Sequence, residues 1–183
     1  MIPESEVGLF LAALRFSADK HRNQRRKEAA KSPYINHPIE VAELLWSTGE
    51  VRDMTTLIAA LLHDTIEDTG TKADEIESNF GREVLGFVLE VTDDKSLPKT
   101  DRKRLQVETA GHKSTQAKSI KLADFICNVR DLCKSPPADW PPERIREYLL
   151  WTEKVVAGLR GTNPALENCY DLELAHGKKK YSI

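Results

Sequence analysis

The sequence predicts an all-α protein built around one core. Apolar residues recur at helical spacing nearly throughout, stretches bearing Pro or Gly separate the periodic segments, and no internal repeat or low-complexity linker divides the 183 residues. Hydrophobic residues at 40% and charged residues at 31% suit a soluble globular domain long enough to bury a sizeable core.

The segment ESEVGLFLAALRFSADKHRNQRRK, residues 4–27, carries Val7, Phe10, Leu11, Leu14 and Ala18 at helical spacing, with Ser5 as a cap. KSPY and NHP interrupt the pattern, and Pro38 suits the first position of a helix PIEVAELLWS that stops at Gly49. From Asp53 to Asp68 the chain is apolar on most of its circumference, as a central buried helix is. TKADEIESNFG reads as a short helix with an acidic first turn and Gly81 as its stop. REVLGFVLEVT follows as a helix or, with less support, a strand, and DDKSLPKTDRKR as a charged connection. TQAKSIKLADFICNVRDLCK spaces Ile120, Leu122, Ala123, Ile126, Val129 and Leu132 helically. SPPADWPP breaks the chain before ERIREYLLWTEKVVAGLRG, and a last helix is expected from Asn163-Pro164 to about His176.

The net charge of −2 gives no argument for a nucleic-acid or membrane partner. The acidic start argues against a signal peptide, and no segment has the apolar length of a membrane span. Three cysteines without a CxxC spacing read as reduced thiols, so a cytoplasmic protein is expected.

Chemistry concentrates in LLHDTIEDT, residues 61–69, where an apolar run leads into His63, Asp64, Glu67 and Asp68. Ionisable groups on a buried segment are costly unless paired. On a helix His63 stacks with Glu67 and Asp64 with Asp68, so the two pairs stand side by side. Imidazole and carboxylate are both competent ligands of a divalent ion. Further ligand types stand at His37, opening a helix, and at Asp124, in an apolar stretch that offers an acid no packing reason. The alternatives are a His hydrogen-bonded to its neighbouring carboxylate, helix-end chemistry at Asp68, and an Asp124–Arg130 ion pair. Four ligand-type residues on separate helices favour a metal. Two imidazoles and two carboxylates suit Mn, Fe, Co or Zn alike.

The motifs YINHP, ALLHDTIED and KLADFICNVRDL resemble those of the HD-domain superfamily, and more narrowly the hydrolase domain of RelA/SpoT-type enzymes. HRNQRRK, VTDDKSLPK and RKRLQVE are similar to stretches of the short, hydrolase-only, animal-type members. The resemblance runs from about residue 12 to 161 and implies one helical HD domain over residues 1–183, completed by the C-terminal helix. It further implies removal of the 3′-pyrophosphate from ppGpp and pppGpp, with His37, His63, Asp64 and Asp124 holding one ion, usually Mn²⁺. Glu67 and Asp68 match the acids that activate or position water, and Glu67 is the expected main proton acceptor.

The basic run KHRNQRRKEAAK lacks interleaved aromatics, which argues against nucleic acid, and such runs are usually solvated helix faces. The resemblance instead puts Arg26 over the guanine base and Lys27 near the phosphates, with Asn128 and Tyr148 contacting the nucleotide. Tyr148 could equally be an ordinary core aromatic. Lys99, Arg102 and Arg104 could supply charge for the pyrophosphate, a surface loop being the default for the two arginines. Phe125 stands where many relatives carry Lys or Arg, and Asp131 where long members often carry Thr; these differences bear on substrate preference. Two other functions compete: a phosphatase on another ribose-phosphorylated nucleotide, such as the 2′-phosphate of NADPH, and a non-catalytic nucleotide-binding module. The oligomeric state is not legible.

Overall fold

The computed structural model describes residues 5–183, so the first residues of the acidic start lie outside it. Among the described residues there is no β-strand; ten α-helices and one 3₁₀ turn form the fold. They are α1 (Glu6–Lys20), α2 (Asn36–Ser47), α3 (Met54–Leu62), α4 (Thr65–Thr69) and α5 (Ala73–Phe80), then α6 (Arg82–Val91) and α7 (Lys99–Thr109). The 3₁₀ turn Ala110–His112 leads to α8 (Thr115–Lys134), α9 (Pro142–Ala157) and α10 (Pro164–Tyr181).

Two helices hold the centre. In α3 every residue from Thr56 to Leu62 is buried, and α1, α2, α6 and α8 pack around it. In α8, thirteen of twenty residues are buried, against α2, α6, α9 and α10. Each large aliphatic side chain interred there contributes about 1.5–3 kcal/mol, so these two helices form the rigid base on which a site can stand.

Local chemistry explains most boundaries. The Ser5 hydroxyl accepts from the Gly8 amide, Asp53 accepts from the Thr55 and Thr56 amides, and Asn163 accepts from Leu166, each satisfying orphan donors of a first turn. The expected helix REVLGFVLEVT is found as α6, and the strand alternative falls away.

Five expectations need correction. First, α1 ends at Lys20, so HRNQRRK is not helical; residues 21–35 turn back on themselves through an Arg25–Pro33 bridge and Arg26 N–H donating to the Ser32 carbonyl. Second, α2 begins at Asn36, which places His37 inside its first turn, where Pro38 still costs no hydrogen bond. Third, the helix expected over Asp53–Asp68 is interrupted at His63–Asp64. There Thr65 Oγ1 donates to the Leu62 carbonyl (2.7 Å) and His63 Nδ1 to the Ala60 carbonyl (2.7 Å). Fourth, DDKSLPKTDRKR is a connection only as far as Pro98: α7 starts at Lys99, although none of its residues is fully buried. The last helix also runs five residues past His176, to Tyr181.

Candidate metal centre and nucleotide pocket

The interruption between α3 and α4 turns His63 and Asp64 toward the first turn of α2 and the middle of α8. His63 Nε2 lies 3.0 Å from Asp64 Oδ2 and 4.0 Å from Asp124 Oδ1. His37 Nε2 lies 3.1 Å from Asp124 Oδ1 and 3.9 Å from Asp64 Oδ2. His37, His63 and Asp124 are all buried, and their donor atoms lie within 4.8 Å of one another. Ligand bonds of about 2.1 Å at right angles put donor atoms about 3 Å apart, and a tetrahedral arrangement somewhat more. The observed spacing fits one ion.

The hydrogen bonds agree. His63 spends its Nδ1 proton on the Ala60 carbonyl, which leaves its buried Nε2 facing Asp64 and Asp124. The Nδ1–carbonyl bond fixes the ring so that Nε2 faces the two carboxylates, the orientation of a metal-ligating imidazole. Donors of mixed nitrogen and oxygen type suit a divalent transition metal.

A ring of polar groups holds these four side chains. The Tyr34 hydroxyl donates to Asp64 Oδ2 (2.6 Å); burial and Asp64 push its phenol far above the ordinary value, so it stays a donor. Lys121, buried in α8, places Nζ 3.3 Å from Asp124 Oδ2, and Asn128 Nδ2 donates to Asp124 Oδ1 (2.6 Å). Burial opposes the charge on Lys121, but Asp124 and then Asp64 outweigh it and raise its pKa. Burial likewise opposes ionisation of Asp124 and Asp64, yet Lys121 for the first and His63 for the second hold both carboxylates well below their usual range. His63 itself is pushed up to about 9: burial lowers it, and the two carboxylates more than compensate.

Glu67 and Asp68 follow on α4. Glu67 is partly buried and accepts from the Asp93 amide (3.1 Å); burial, with Asp93 and Asp64 nearby, raises its pKa. Lys95 Nζ reaches Glu67 at 3.4 Å and Asp68 at 2.7 Å. Asp68 also accepts from Gln24 Nε2 (3.0 Å), whose Oε1 accepts from His21 Nδ1 (2.7 Å).

Beside the centre lies a cavity of about 380 Å³ lined by Arg26, Lys27, Asn128 and Tyr148 together with His37 and Asp68. The Arg26 guanidinium is paired with Asp131, reaches Asn128 Oδ1 at 3.4 Å and lies 5.6 Å from the Tyr34 ring centre. Tyr148 packs between Trp140 and Trp151, so it is both a half-buried aromatic and a pocket wall. Lys99 stands apart from this group, in a second groove of about 540 Å³ that shares Lys27, Trp140 and Tyr148 with the first. Arg102 lies in that groove too, whereas Arg104 is exposed and bonded to Glu108. Phe125 meets Trp151 edge to face, its ring centre 5.5 Å away.

Sequence reasoning passed over Tyr34, Gln24, Lys95 and Lys121. Lys121 left a signal, a lone lysine inside an apolar helix. Arg130, weighed as the partner of Asp124, pairs with Glu173 instead (2.8 Å).

The comparisons with known proteins point the same way. The HD domain matches residues 13–160, a span that contains every residue of the centre and the cavity. A protein of Xenopus tropicalis named guanosine-3′,5′-bis(diphosphate) 3′-pyrophosphohydrolase MESH1 is 53% identical over 167 residues, covering 91% of this chain and 93% of that protein. The Homo sapiens protein of the same name is 53% identical over 163 residues, covering 89% of this chain and 91% of its own. A solved structure described as "A metazoan ortholog of SpoT hydrolyzes ppGpp and plays a role in starvation responses" superposes with a TM-score of 0.90 at 46% identity, covering 96% of this chain and 97% of its own. The chain belongs to the HD-domain family and, within it, to the group of the MESH1 pyrophosphohydrolases.

Proposed function

We propose that this chain hydrolyses the 3′-pyrophosphate of ppGpp and pppGpp to GDP or GTP and pyrophosphate, acting throughout its length as one HD domain with Mn²⁺ as its ion. The observation that carries this is the convergence of two imidazoles and two carboxylates at the end of the buried helix α3, beside a cavity whose wall includes Arg26, Lys27, Asn128 and Tyr148. The substrate comes from the names of the relatives.

His37, His63, Asp64 and Asp124 would hold the ion. The chemistry a divalent ion supplies there is acidification of water and neutralisation of phosphoryl charge. Glu67, its proton affinity raised by burial and neighbouring acids, takes the proton of the attacking water. The water oxygen bonds to the phosphorus attached to the ribose 3′-oxygen as the bond between that phosphorus and the 3′-oxygen breaks; pyrophosphate leaves, and the 3′-oxygen takes up a proton to become the free hydroxyl. Asp68, tethered by Gln24 and Lys95, supports Glu67. Arg26 offers a planar cation to the guanine and Lys27 and Lys99 offer point charges to phosphates, while Asn128 and Tyr148 wall the nucleoside.

Purified protein loaded with Mn²⁺ and given ppGpp should release GDP and pyrophosphate, with phosphate release from NADPH as the comparison reaction. Absence of pyrophosphate release with Mn²⁺ and with other divalent ions would sink the proposal. Glu67→Gln should keep its metal and lose at least about a hundredfold in turnover; full activity in that variant would move the proton acceptor to Asp68.

A further inference from the structure

The turns that replace helix after Lys20 bring two side chains together. His21 caps α1, and the Gln24 amide donates to its carbonyl (2.9 Å), closing a turn that sets the Gln24 side chain beside the His21 ring. The Tyr34 amide donates to the Gln24 carbonyl (3.1 Å) and holds that backbone from the other side. The Gln24 side chain then spans from His21 Nδ1 (2.7 Å) to Asp68 Oδ2 (3.0 Å). Gln24 and Asp68 both line the cavity of about 380 Å³, whereas His21 is buried, its ring centre 4.8 Å from that of Tyr34.

Hydrogen-bonding capacity fixes the direction of each proton in this series. An ionised carboxylate only accepts, so Gln24 turns its NH₂ group to Asp68 and its amide oxygen to His21. That oxygen also only accepts, so His21 carries a proton on Nδ1. Nε2, the other ring nitrogen, is buried without a hydrogen-bond partner, and burial lowers the His21 pKa. The ring is therefore neutral, and its single proton goes to Gln24.

We propose that His21 is a positioning residue for hydrolysis: through the Gln24 amide it pins Asp68, and the pinned Asp68 keeps the Lys95 ammonium from closing on Glu67. This rests on the pyrophosphohydrolase reading. Asp68 is gripped at both oxygens, Oδ2 by Gln24 and Oδ1 by Lys95 (2.7 Å), while Lys95 stands farther from Glu67, at 3.4 Å. Without the Gln24 bond Asp68 turns freely, and Lys95 moves to the carboxylate that stays fixed. That is Glu67, which the Asp93 amide holds in place (3.1 Å). An ammonium paired there lowers the affinity of Glu67 for the proton of the attacking water.

A double-mutant cycle on Mn²⁺-loaded protein tests this, with ppGpp as substrate and His21→Phe and Asp68→Ala made singly and together. His21→Phe keeps a ring against Tyr34 and removes the donor. It should lower kcat on the order of tenfold, the worth of one buried hydrogen bond, and leave KM nearly unchanged. His21→Asn, whose amide N–H can stand in for Nδ1–H, should recover most of the loss. In the Asp68→Ala background His21→Phe should cost nothing further. An unchanged kcat in His21→Phe overturns the proposal. So does an equal loss in both backgrounds, which would make His21 a packing residue. Should His21→Phe not fold, Gln24→Met takes its place in the cycle. If wild type releases no pyrophosphate from ppGpp, the proposed function fails by itself. Nitrogen-15 NMR of the imidazole in Zn²⁺-loaded wild type then still decides the relay: a neutral Nδ1–H ring is expected, and an Nε2–H ring or an imidazolium overturns it.

Discussion

Lys121 sets the charge balance of the centre. Buried beneath Asp124, it offsets one of two carboxylates that would otherwise confront each other across the imidazoles. Removing one member of a buried ion pair costs about 3–5 kcal/mol because the other is left uncompensated. Lys121→Met is therefore expected to lower the denaturant midpoint of metal-free protein strongly and that of the Mn²⁺-loaded protein less, since a bound cation restores the missing positive charge. Equal losses in the two states would show that Lys121 serves packing alone. At this scale the side chains that converge on the centre were legible because polar residues in apolar sequence stand out. Their supports were not: whether Asp124 meets Arg130 or Lys121 depends on which side of α8 faces α10 and which faces the centre, and both lie within six residues of it.

Helices are legible from sequence when they carry an apolar stripe, and α8, with its buried face, is found over the residues expected. Helix α7 has no such stripe, so its periodicity is carried by charges and reads as a connection. The stretch HRNQRRK erred the other way, having helix-compatible residues but a backbone held in turns by Arg25–Pro33 pairing. What fixes α7 in place is contact at its far end. A Cβ on Gly158 would stand 2.7 Å from Ala110 Cβ and 3.0 Å from the Gly111 amide nitrogen, so α9 and the 3₁₀ turn approach as closely as glycine permits. Gly158→Ala should destabilise the protein by about 1–3 kcal/mol, the cost of overpacking, read as a fall in urea midpoint. A neutral result would mean that the turn shifts freely.

For the whole molecule, the proposed ligand set links metal binding, protonation and stability through His63. In the metal-free protein its pKa is raised from 6.5 to about 9. The imidazolium therefore stabilises the fold fully below pH 6.5, and that stabilisation is lost as pH climbs through about 9. An ion at Nε2 requires the neutral ring, so its binding displaces a proton and strengthens over the same interval. Thermal melts at pH 6.5 and 9 should show the chelated protein losing Tm with rising pH while the gap to the Mn²⁺-loaded protein widens. A gap independent of pH would remove His63 from the ligand set. Fold class and the location of the centre were legible in the sequence because both follow from short ordered motifs on buried helices. The groove was not, since it exists only where α7 and α9, some forty residues apart, come together.

The absence of any fully buried residue in α7 has a dynamic consequence. Regions with few buried apolar contacts open at low free energy, independently of global unfolding. Backbone amides of Lys103 to Thr109 should therefore exchange with deuterium well before those of α8. One wall of the groove would then loosen while the two central helices stay closed.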